Sequence, residues 1–543
     1  CSDQRRWPSI LAKFFRERWA DGSHNKAAQL DRLLYWRRRA SREEPSPPLL
    51  WTELLTAFAK PKIRSAAGHD DVQQDLVRAL PAGNFAPLVI VFDAMDRLLH
   101  LQGPCSTHPH FRHVHGSSIA KTKDDVKLQG LESWRYIFSC PALQKLWMSL
   151  IARRILQSIS WPTWTLGFVP GRGCDQFLAQ PMHLFQKARE WGIPCVAVDS
   201  DIKFAFDRVK HDDVSKGLQF FEIRPAESFF LMDALSHQTA DVSWGGTVSE
   251  IFPVRMSAGA GGPHAPLAFL VSVTPLLLML EQRWAAKGWS FPVSCDVETL
   301  RSNNLQQIQA LPGPRVGLLV WADNIQMYSF AVSFARRMLS ELIEVFWCAL
   351  GHEIKSGVVL ATNREATHSE PLQMVDPRPV LLPQDWWLEL VLPAPFSVSA
   401  EMWSTRRLAY VSQGEDIRVD CVHDAMQVLG VAIPIDGSDD LAWQHWLRSA
   451  EKTWQARRPL YTAKCRTLLA RTQAFYGEVV ASLLWGSENW TISKATFTRL
   501  EQWERDKWIL ILGLPKKRVH LPTPVPASYT HLTPPTIYYL PSS

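Results

Sequence analysis

Apolar and polar positions alternate most clearly in two stretches of this chain. Residues 196–201 form an apolar, alternating run, which predicts a buried strand that delivers Asp201 to its carboxyl end. Residues 202–209 follow with a pattern that is compatible with a short helix. Residues 316–331 contain two strand-like runs separated by a polar step, which predicts a hairpin with its turn near Asp323.

Periodicity and turn residues predict the remaining elements. A strand followed by a helix is expected over 134–159, a short strand over 428–431, and an irregular Pro-rich insertion over 362–400. Further helices are expected at 11–19, 30–36, 51–59, 72–80, 175–190, 265–280, 333–349 and over much of 441–512. The run 265–280 contains Pro275 and is followed directly by charged residues, so it predicts a buried helix and no membrane span.

The length predicts two to four domains, or one large enzyme with insertions. Among 543 residues, 46% are hydrophobic, which excludes wholesale disorder, and 24 are tryptophan, which suits buried aromatic packing or base stacking. The net charge of +6 permits a polyanionic partner. The nine cysteines are scattered without a CxxC pair, which argues against a disulfide framework and predicts a reducing, intracellular compartment.

Charge and proline content divide the chain into segments. Residues 1–51 are predicted to be a basic N-terminal linker, because 1–64 carries 14 Lys and Arg against 7 Asp and Glu, although a solvated helix face would show the same pattern. Residues 441–520 form a second basic region, with helical periodicity. Residues 521–543 contain six prolines and no Asp, Glu, Lys or Arg, which predicts a disordered, non-native tail. Because the chain begins at Cys1 and not at Met, we expect a fragment or a processed product.

Two of the predicted strands lead into carboxylates. If both strands lie in one sheet, Asp201 and Asp323 meet at one edge and can share divalent metal ions. Mg²⁺ suits such a site, because it binds through few carboxylates together with substrate phosphates and retained water. The arrangement predicts phosphoryl transfer on a nucleotide. Purely structural roles stay open as alternatives, since Asp201 can cap a helix and Asp323 with Asn324 can form an ordinary turn.

A cluster of candidate zinc ligands lies outside these strands. Its members are Cys105, His108, His110, His113 and His115. Their spacing fits no standard structural zinc unit, and closely spaced His-x-His pairs cannot share one helical face. We therefore expect an exposed polar loop, with an unrelated zinc-binding protein as the alternative.

Nine short segments follow one another in the order found in a known family. They are residues 67–70, 134–137, 167–175, 201–207, 261–269, 321–324, 351–355, 428–431 and 484–490. Residues 201–207 match the Asp-x-x-x-Ala-Phe-Asp signature, and Trp321-Ala322-Asp323-Asn324 is similar to Phe/Tyr-Ala-Asp-Asp. Over residues 52–515, the chain resembles the reverse transcriptase of non-LTR (LINE-type) retrotransposons.

The resemblance implies an α+β fold with the right-hand architecture of polymerases. Fingers and palm would occupy 52–440, with the fingers mainly from 52–190, and a helical thumb would start at 441. The palm would be an antiparallel sheet with helices on one face. The implied activity is RNA-directed DNA synthesis with an RNA template, a DNA primer and a dNTP, in the cytoplasm and nucleus and without a membrane partner.

The resemblance also implies the residues of the catalytic centre. Asp201, Asp323 and Asn324 take the catalytic positions, and Asp201 and Asp323 would bind two Mg²⁺ ions, with Mn²⁺ as an alternative. Phe206 takes the position of the bulky residue that excludes a ribose 2′-hydroxyl. Asp207 is expected to be a local hydrogen-bonding residue.

Further positions of the family contact the nucleotide. Arg135 is the expected triphosphate clamp, assisted by Lys121 or Lys123, because a guanidinium binds phosphate through two parallel hydrogen bonds. Gly261 and Pro263 would allow close approach of the backbone to the nucleotide and template. Lys355 is the candidate proton donor to pyrophosphate.

Three positions depart from the family pattern. Asn324 replaces the second Asp of the hairpin and adds no charge, Ala260 replaces a Gln, and Ala265 replaces a Ser. Loss of one acid weakens metal binding, so the alternative to an active enzyme is a decayed, catalytically inactive nucleic-acid-binding protein of the same fold.

Overall fold

The computed structural model describes three parts of the chain. The first is 6–54 with gaps at 21–25, 44–46, 49 and 51; the second is residues 56, 72, 86–100 and 112–120; the third is 134–513 with gaps at 245, 260, 294–295, 303, 364–372, 376–385, 414–416, 438–439 and 485–493. The motif at 67–70, nearly all of the helix predicted at 72–80, most of the motif at 484–490 and the tail 521–543 lie outside the described residues.

The protein is a mixed α and β structure in which helices predominate. The helices are α1 (Trp7–Arg18), α2 (Lys26–Ala40), α3 (Ala86–His100), α4 (Ala142–Ser158), α5 (Cys174–Trp191), α6 (His211–Phe220), α7 (Pro225–Ser236), α8 (Ala265–Ala286), α9 (Val297–Arg301), α10 (Leu305–Ala310), α11 (Val332–Val345), α12 (Ala400–Gln413), α13 (Asp440–Thr462), α14 (Leu468–Ala474), α15 (Ala481–Leu483) and α16 (Lys494–Leu512). Two π-helical stretches, Phe346–Leu350 and Phe475–Val480, extend α11 and join α14 to α15.

Fifteen strands occur among the described residues. They are β1 (His113–Ala120), β2 (Trp134–Ser139), β3 (Val196–Asp201), β4 (Thr239–Trp244), β5 (Thr247–Val248), β6 (Phe252–Pro253), β7 (Phe291–Pro292), β8 (Arg315–Val316), β9 (Leu318–Trp321), β10 (Asn324–Ser329), β11 (Val358–Thr362), β12 (Gln373–Val375), β13 (Arg418–Val422), β14 (Ala425–Val428) and β15 (Val431–Pro434).

The central sheet has six strands in the order β12-β13-β11-β3-β10-β9. The pairs β11–β3, β3–β10 and β10–β9 are antiparallel, whereas β11 and β13 are parallel, so the sheet is mixed and the prediction of a purely antiparallel sheet is wrong at that pair. Neighbouring residues of a strand point to opposite faces, and all six residues of β10 are buried. Both faces of the sheet are therefore covered at β10, whereas the expected palm had helices on one face.

A second sheet has the order β2-β1-β4-β5, with β6 paired to β4. Its strands come from both sides of β3 in sequence, and the parallel pairing of β1 with β4 joins them. The segment expected to form the fingers is therefore hydrogen-bonded to residues 239–243, which follow β3 in the sequence.

The first two helices pack against these layers. The apolar face of α1, which contains Leu11, Ala12 and Phe15, is buried against the second sheet. Helix α2 packs on α7, and its Trp36 indole donates a hydrogen bond to Ser215 Oγ at 3.0 Å. The solvent-facing side of α2 carries Arg38 and Arg39. The sequence pattern of a basic linker did not indicate this packing.

Two local predictions differ from the structure. Residues 203–208 form turns instead of a short helix, and Phe204 adopts a left-handed φ of 53°, which interrupts helical geometry. The segment 428–431 contains a tight turn at Leu429 and Gly430, both with positive φ, which joins β14 to β15. Residues 428–431 therefore contain the turn of a β-hairpin, and the single strand predicted there is wrong.

Helix α8 is long and apolar enough to cross a membrane by length and composition, but 67% of its most apolar window is buried inside the protein. It packs against α6 and α11. This packing agrees with the prediction of a buried helix over 265–280.

Asp213, in the first turn of α6, is a buried carboxylate within this core, only 3% exposed. Burial raises the pKa of its carboxyl to about 6, although Lys210 and Lys216 favour the charged form. The folded protein therefore holds a proton at pH values where the unfolded chain has released it. The contribution of this group to stability consequently falls as the pH rises from about 4 to about 6.

We expect Asp213→Asn to raise the free energy of unfolding by about 1–3 kcal/mol near neutral pH and to change it little near pH 4, because the amide removes the cost of a buried charge. Thermal melting at both pH values measures the difference. Asp212→Asn, at the neighbouring and more exposed carboxylate, is the matched control. An equal shift at the two pH values would contradict the role of burial.

Candidate active site

The candidate site is built on the antiparallel pairing of β3 with β10. In this register Asp201 lies opposite Asn324, and Asp199 lies opposite Gln326. Because alternate residues share a face, all four side chains project from the same face of the sheet. The other face of β3 is occupied by Val196, Val198 and Ser200 and belongs to the core.

Asp201 and Asp323 meet at one edge of this sheet. Asp323 lies in the turn between β9 and β10, and its carbonyl accepts a hydrogen bond from the Ile202 amide at 3.1 Å. Burial raises the pKa of Asp323, and the nearby charge of Asp201 raises it further, while Lys355 lowers it. Lys355 Nζ lies 3.7 Å from Asp201 Oδ2, and both side chains are substantially exposed. The structure thus groups the two predicted metal ligands with Lys355.

Asn324 donates hydrogen bonds to two carboxylates of this site. Its Nδ2 donates hydrogen bonds to Asp199 Oδ1 at 3.0 Å and to Asp201 Oδ1 at 3.2 Å. An amide nitrogen cannot ligate a cation, and this nitrogen bridges two carboxylates. The Asn324 Oδ1 atom is buried and has no hydrogen-bond partner in the described part of the chain. The N–H groups of Asn324 stabilise the negative charge of Asp199 and Asp201 when no metal ion is bound, whereas a third carboxylate at this position would repel them.

A polar network continues from Asn324 into the core. Gln326 Nε2 donates to Asp199 Oδ1 at 2.9 Å, and the Tyr328 hydroxyl donates to Gln326 Oε1 at 2.6 Å. Burial raises the pKa of Asp199 to about 6 despite these two amide donors, and the charge of Asp201 adds to the rise. No pattern in the sequence indicated that Gln326 and Tyr328 form a network with Asp199.

The tip of the β9–β10 hairpin packs against residues 164–168. Leu166 N donates to Val320 O at 2.9 Å, and Val320 N donates to Trp164 O at 2.9 Å, so this segment extends the edge of β9. Gly167 lies so close to the tip that a Cβ there would be 2.5 Å from the Ala322 amide nitrogen. The close approach explains a glycine here and places the exposed Phe168 beside the site.

Phe206 lies in the 203–208 turn, directly after the strand that carries Asp201. Its ring is 6.2 Å from that of Phe168 and 5.1 Å from that of Phe269, and it remains partly exposed. The Phe206 carbonyl accepts a hydrogen bond from the Ala258 amide at 2.8 Å. A bulky ring is therefore held in the turn that follows β3, and its role in sugar discrimination stays a prediction from the sequence.

The loop that carries Gly261 and Pro263 lies between the 203–208 turn and β2. Gly261 has a φ of 74°, and a Cβ there would be 2.3 Å from the carbonyl oxygen of Phe138. The Cys140 thiol donates to the Gly261 carbonyl at 3.3 Å. Both Gly261 and Pro263 are exposed, so the backbone of this loop is accessible to a ligand.

Arg135 lies on β2, opposite Ile119 of β1. Its side chain, together with Lys121 and Lys123, lies outside the described part of the structure, and so does Ala260. The triphosphate clamp therefore stays a prediction from the sequence.

Two of the histidines considered as zinc ligands, His113 and His115, form hydrogen bonds with a carboxylate in the structure. His113 and His115 lie on β1, not in an exposed loop, and His113 Nε2 and His115 Nδ1 are 2.9 and 2.5 Å from the two oxygens of Asp241. Their second ring nitrogens face the hydroxyls of Thr239 and Ser243. Burial disfavours ionisation of Asp241, but these hydrogen bonds outweigh it and lower its pKa. Cys105, His108 and His110 lie outside the described residues.

The donor set suits Mg²⁺ only in part. Asp201 supplies a substantially exposed carboxylate and Asp323 a partly buried one, which suits an ion that takes its remaining ligands from water and substrate phosphates. Within the described ranges, no group of three or more His, Cys, Asp or Glu side chains is placed to hold a metal. Binding of Mg²⁺ at this site would therefore depend on the two carboxylates and on the phosphates of a bound nucleotide.

No protein-family model matches this chain, and no curated protein matches its sequence. The order of the motifs and the geometry around β3 and β10 are therefore what bears on function.

Asn324→Asp would place a third carboxylate against Asp199 and Asp201. Without divalent ions we expect this substitution to lower the free energy of unfolding by about 1–3 kcal/mol, because it adds electrostatic repulsion. We expect millimolar Mg²⁺ to stabilise the variant more than it stabilises the wild type, because a cation offsets that repulsion. Melting with EDTA and with Mg²⁺ measures both effects. Asn324→Ala, which removes the amide without adding charge, is the control, and an identical Mg²⁺ shift in all three proteins would contradict the prediction.

Proposed function

We propose that this chain is an RNA-directed DNA polymerase with the right-hand architecture, of the kind found in non-LTR retrotransposons. The observation that carries the proposal is the placement of Asp201 and Asp323 at one sheet edge by the β3–β10 pairing. Two acids from motifs that are far apart in sequence are thereby available to one pair of divalent ions, as in-line nucleotidyl transfer requires.

The reaction is attack of a primer 3′-hydroxyl on the α-phosphate of a dNTP, with release of pyrophosphate. When bound, Mg²⁺ would activate the hydroxyl and neutralise charge on the leaving oxygens, held by Asp201 and Asp323. Lys355, beside Asp201, is the group placed to donate a proton to the departing pyrophosphate. Phe206 would close the sugar pocket against a 2′-hydroxyl.

The C-terminal helices supply a surface for the template–primer duplex. Exposed basic side chains project from α13, from the segment before α14 and from α16. They are Arg448, Lys452, Arg457, Arg458, Lys464, Arg466, Lys494 and Arg499. Such cations bind the phosphate backbone without reading sequence, so the proposed thumb would hold the duplex in a salt-sensitive way.

A second candidate is a catalytically inactive nucleic-acid-binding protein of the same fold. The hydrogen bonds from Asn324 to Asp199 and Asp201 favour it, because they occupy carboxylate oxygens that metal ions would otherwise use. The basic C-terminal surface would remain functional in such a protein.

Primer extension on an RNA template separates the two candidates. We expect the wild type to extend the primer in Mg²⁺, and Asp201→Asn or Asp323→Asn to lower the rate by about 10²–10³-fold, because each removes a charge that positions the reacting groups. Asp212→Asn is the matched control and should retain activity. Extension by the wild type no greater than that of the two site variants would exclude the enzyme and leave the binding protein.

Removal of the Phe206 ring tests sugar discrimination separately. We expect Phe206→Val to raise the incorporation of ribonucleotides relative to deoxynucleotides by about 10-fold or more, because the smaller side chain no longer excludes the 2′-hydroxyl. Phe220→Val, which removes a partly buried ring from α6, is the control. The readout is the ratio of kcat/KM for a dNTP and its ribonucleotide, and an unchanged ratio would remove Phe206 from this role.

A further inference from the structure

Helix α1 reaches the 203–208 turn from a distant part of the sequence. Its buried residue Phe15 and the adjoining Trp19 pack against Phe138 and Phe252 of the second sheet, with ring centroids 5.0–6.4 Å apart. Both side chains are only 1% exposed. The C-terminal end of α1 is therefore fixed in position, and a side chain that projects from it acts from a rigid support.

Arg18 projects from this support onto the turn. Its guanidinium lies 2.7 Å from Asp207 Oδ2, and the Trp19 indole donates to Asp207 Oδ1 at 3.3 Å. The Arg18 Cζ also lies 3.9 Å from the centroid of the Phe204 ring, a close cation–π contact. The Arg18 side chain is 16% exposed, so water competes weakly for these contacts.

The turn is the part of the site that most needs such support. Phe204 has a φ of 53°, a conformation that residues other than glycine rarely adopt. Its carbonyl accepts hydrogen bonds from the amides of Asp207 and Arg208, both at 3.0 Å. Neighbouring structure must hold a backbone of this kind in place.

The opposite side of the turn is held by Glu353. Its carboxylate lies 3.3 Å from Lys203 Nζ and 3.1 Å from Arg208, and its carbonyl accepts a hydrogen bond from the Lys203 amide. Arg18 and Glu353 thus clamp the turn from two sides, with Phe206 between the clamped positions.

We propose that Arg18 is a positioning residue for nucleotide selection: through Asp207 and Phe204 it holds the 203–208 turn so that Phe206 stays at the sugar pocket. The role in selection rests on the proposed polymerase function, whereas the clamping of the turn does not. Helix α1 is then a working part of the active site, although its sequence indicates a linker.

The test compares Arg18→Ala with Arg16→Ala. Arg16 lies on the same helix and forms an ion pair with Glu250, but within the described part of the chain it makes no ion pair or ring contact with the turn, so it controls for loss of a cation from α1. Arg18→Lys keeps the charge but not the planar group, and Asp207→Asn removes the ion pair while it leaves α1 intact. Amide hydrogen exchange and nucleotide kinetics are measured for all four variants and the wild type.

In Arg18→Ala we expect at least about 10-fold faster exchange at the Asp207 and Arg208 amides, with exchange in α1 and the melting temperature matching those of Arg16→Ala. Arg18→Lys and Asp207→Asn should give intermediate values. In Arg18→Ala the KM for a dNTP should rise, and discrimination against ribonucleotides should fall by about 10-fold. The change in kcat should be smaller, because the substitution displaces the sugar pocket but leaves Asp201 and Asp323 in place.

Two failures are distinguishable. Hydrogen exchange does not depend on turnover, so equal exchange of the turn in Arg18→Ala and Arg16→Ala would overturn the positioning role even in an active enzyme. A wild type without polymerase activity would overturn the proposed function and the role in selection, and the exchange data would still decide whether Arg18 clamps the turn.

Discussion

The antiparallel register between β3 and β10 is the constraint on which the candidate site depends. It places Asp201 opposite Asn324 and brings the Asp323 turn against Ile202. The period of a strand is two residues, so a slip of one position would turn Asp201 into the core and bring Ser200 to the site. The apolar side chains on the other face of β3 and β10 prevent that slip, because it would expose them and bury carboxylates in their place.

The same register creates a chain of buried polar groups. Asp199, Asn324, Gln326 and Tyr328 are linked by hydrogen bonds where water has little access, and within the described residues only Asn324 Oδ1 among their carboxamide and hydroxyl groups is buried without a partner. A buried donor or acceptor that loses its partner costs about 1–3 kcal/mol, so the members of this network depend on one another. Asn324 is consequently a member of this hydrogen-bond network. It is the link between the accessible carboxylate of Asp201 and the buried carboxylate of Asp199.

Contacts between distant parts of the chain surround this centre. The second sheet pairs β1 with β4, two strands that lie before and after β3 in the sequence. Helix α1 packs on that sheet and also contacts the 203–208 turn. The loop with Gly261 connects the turn to β2 through the amide of Ala258 and the thiol of Cys140. In the proposed polymerase, groups that would contact the nucleotide are therefore held by segments from the beginning and the middle of the sequence.

The sequence by itself determined the elements whose pattern is local. The strand over 196–201, the helix over 175–190, the hairpin over 316–331 and the buried helix over 265–280 follow from periodicity, because burial of one face or of a whole segment selects residue types at fixed spacing. Because side chains alternate along a strand, a strand over 196–201 necessarily has Asp199 and Asp201 on one face. The role of the site in catalysis remains a prediction from motif order.

Only the tertiary structure decided the features that join segments far apart in the chain. The turn at 203–208 replaced a predicted helix because Phe204 is held in a left-handed conformation by contacts that include Arg18 of α1. The histidines His113 and His115 proved to be strand residues bound to Asp241, since their partner lies on a strand that pairs in parallel with theirs. A local pattern carries no information about such partners, because hydrogen bonds and ion pairs depend on distance in space and not on spacing in sequence.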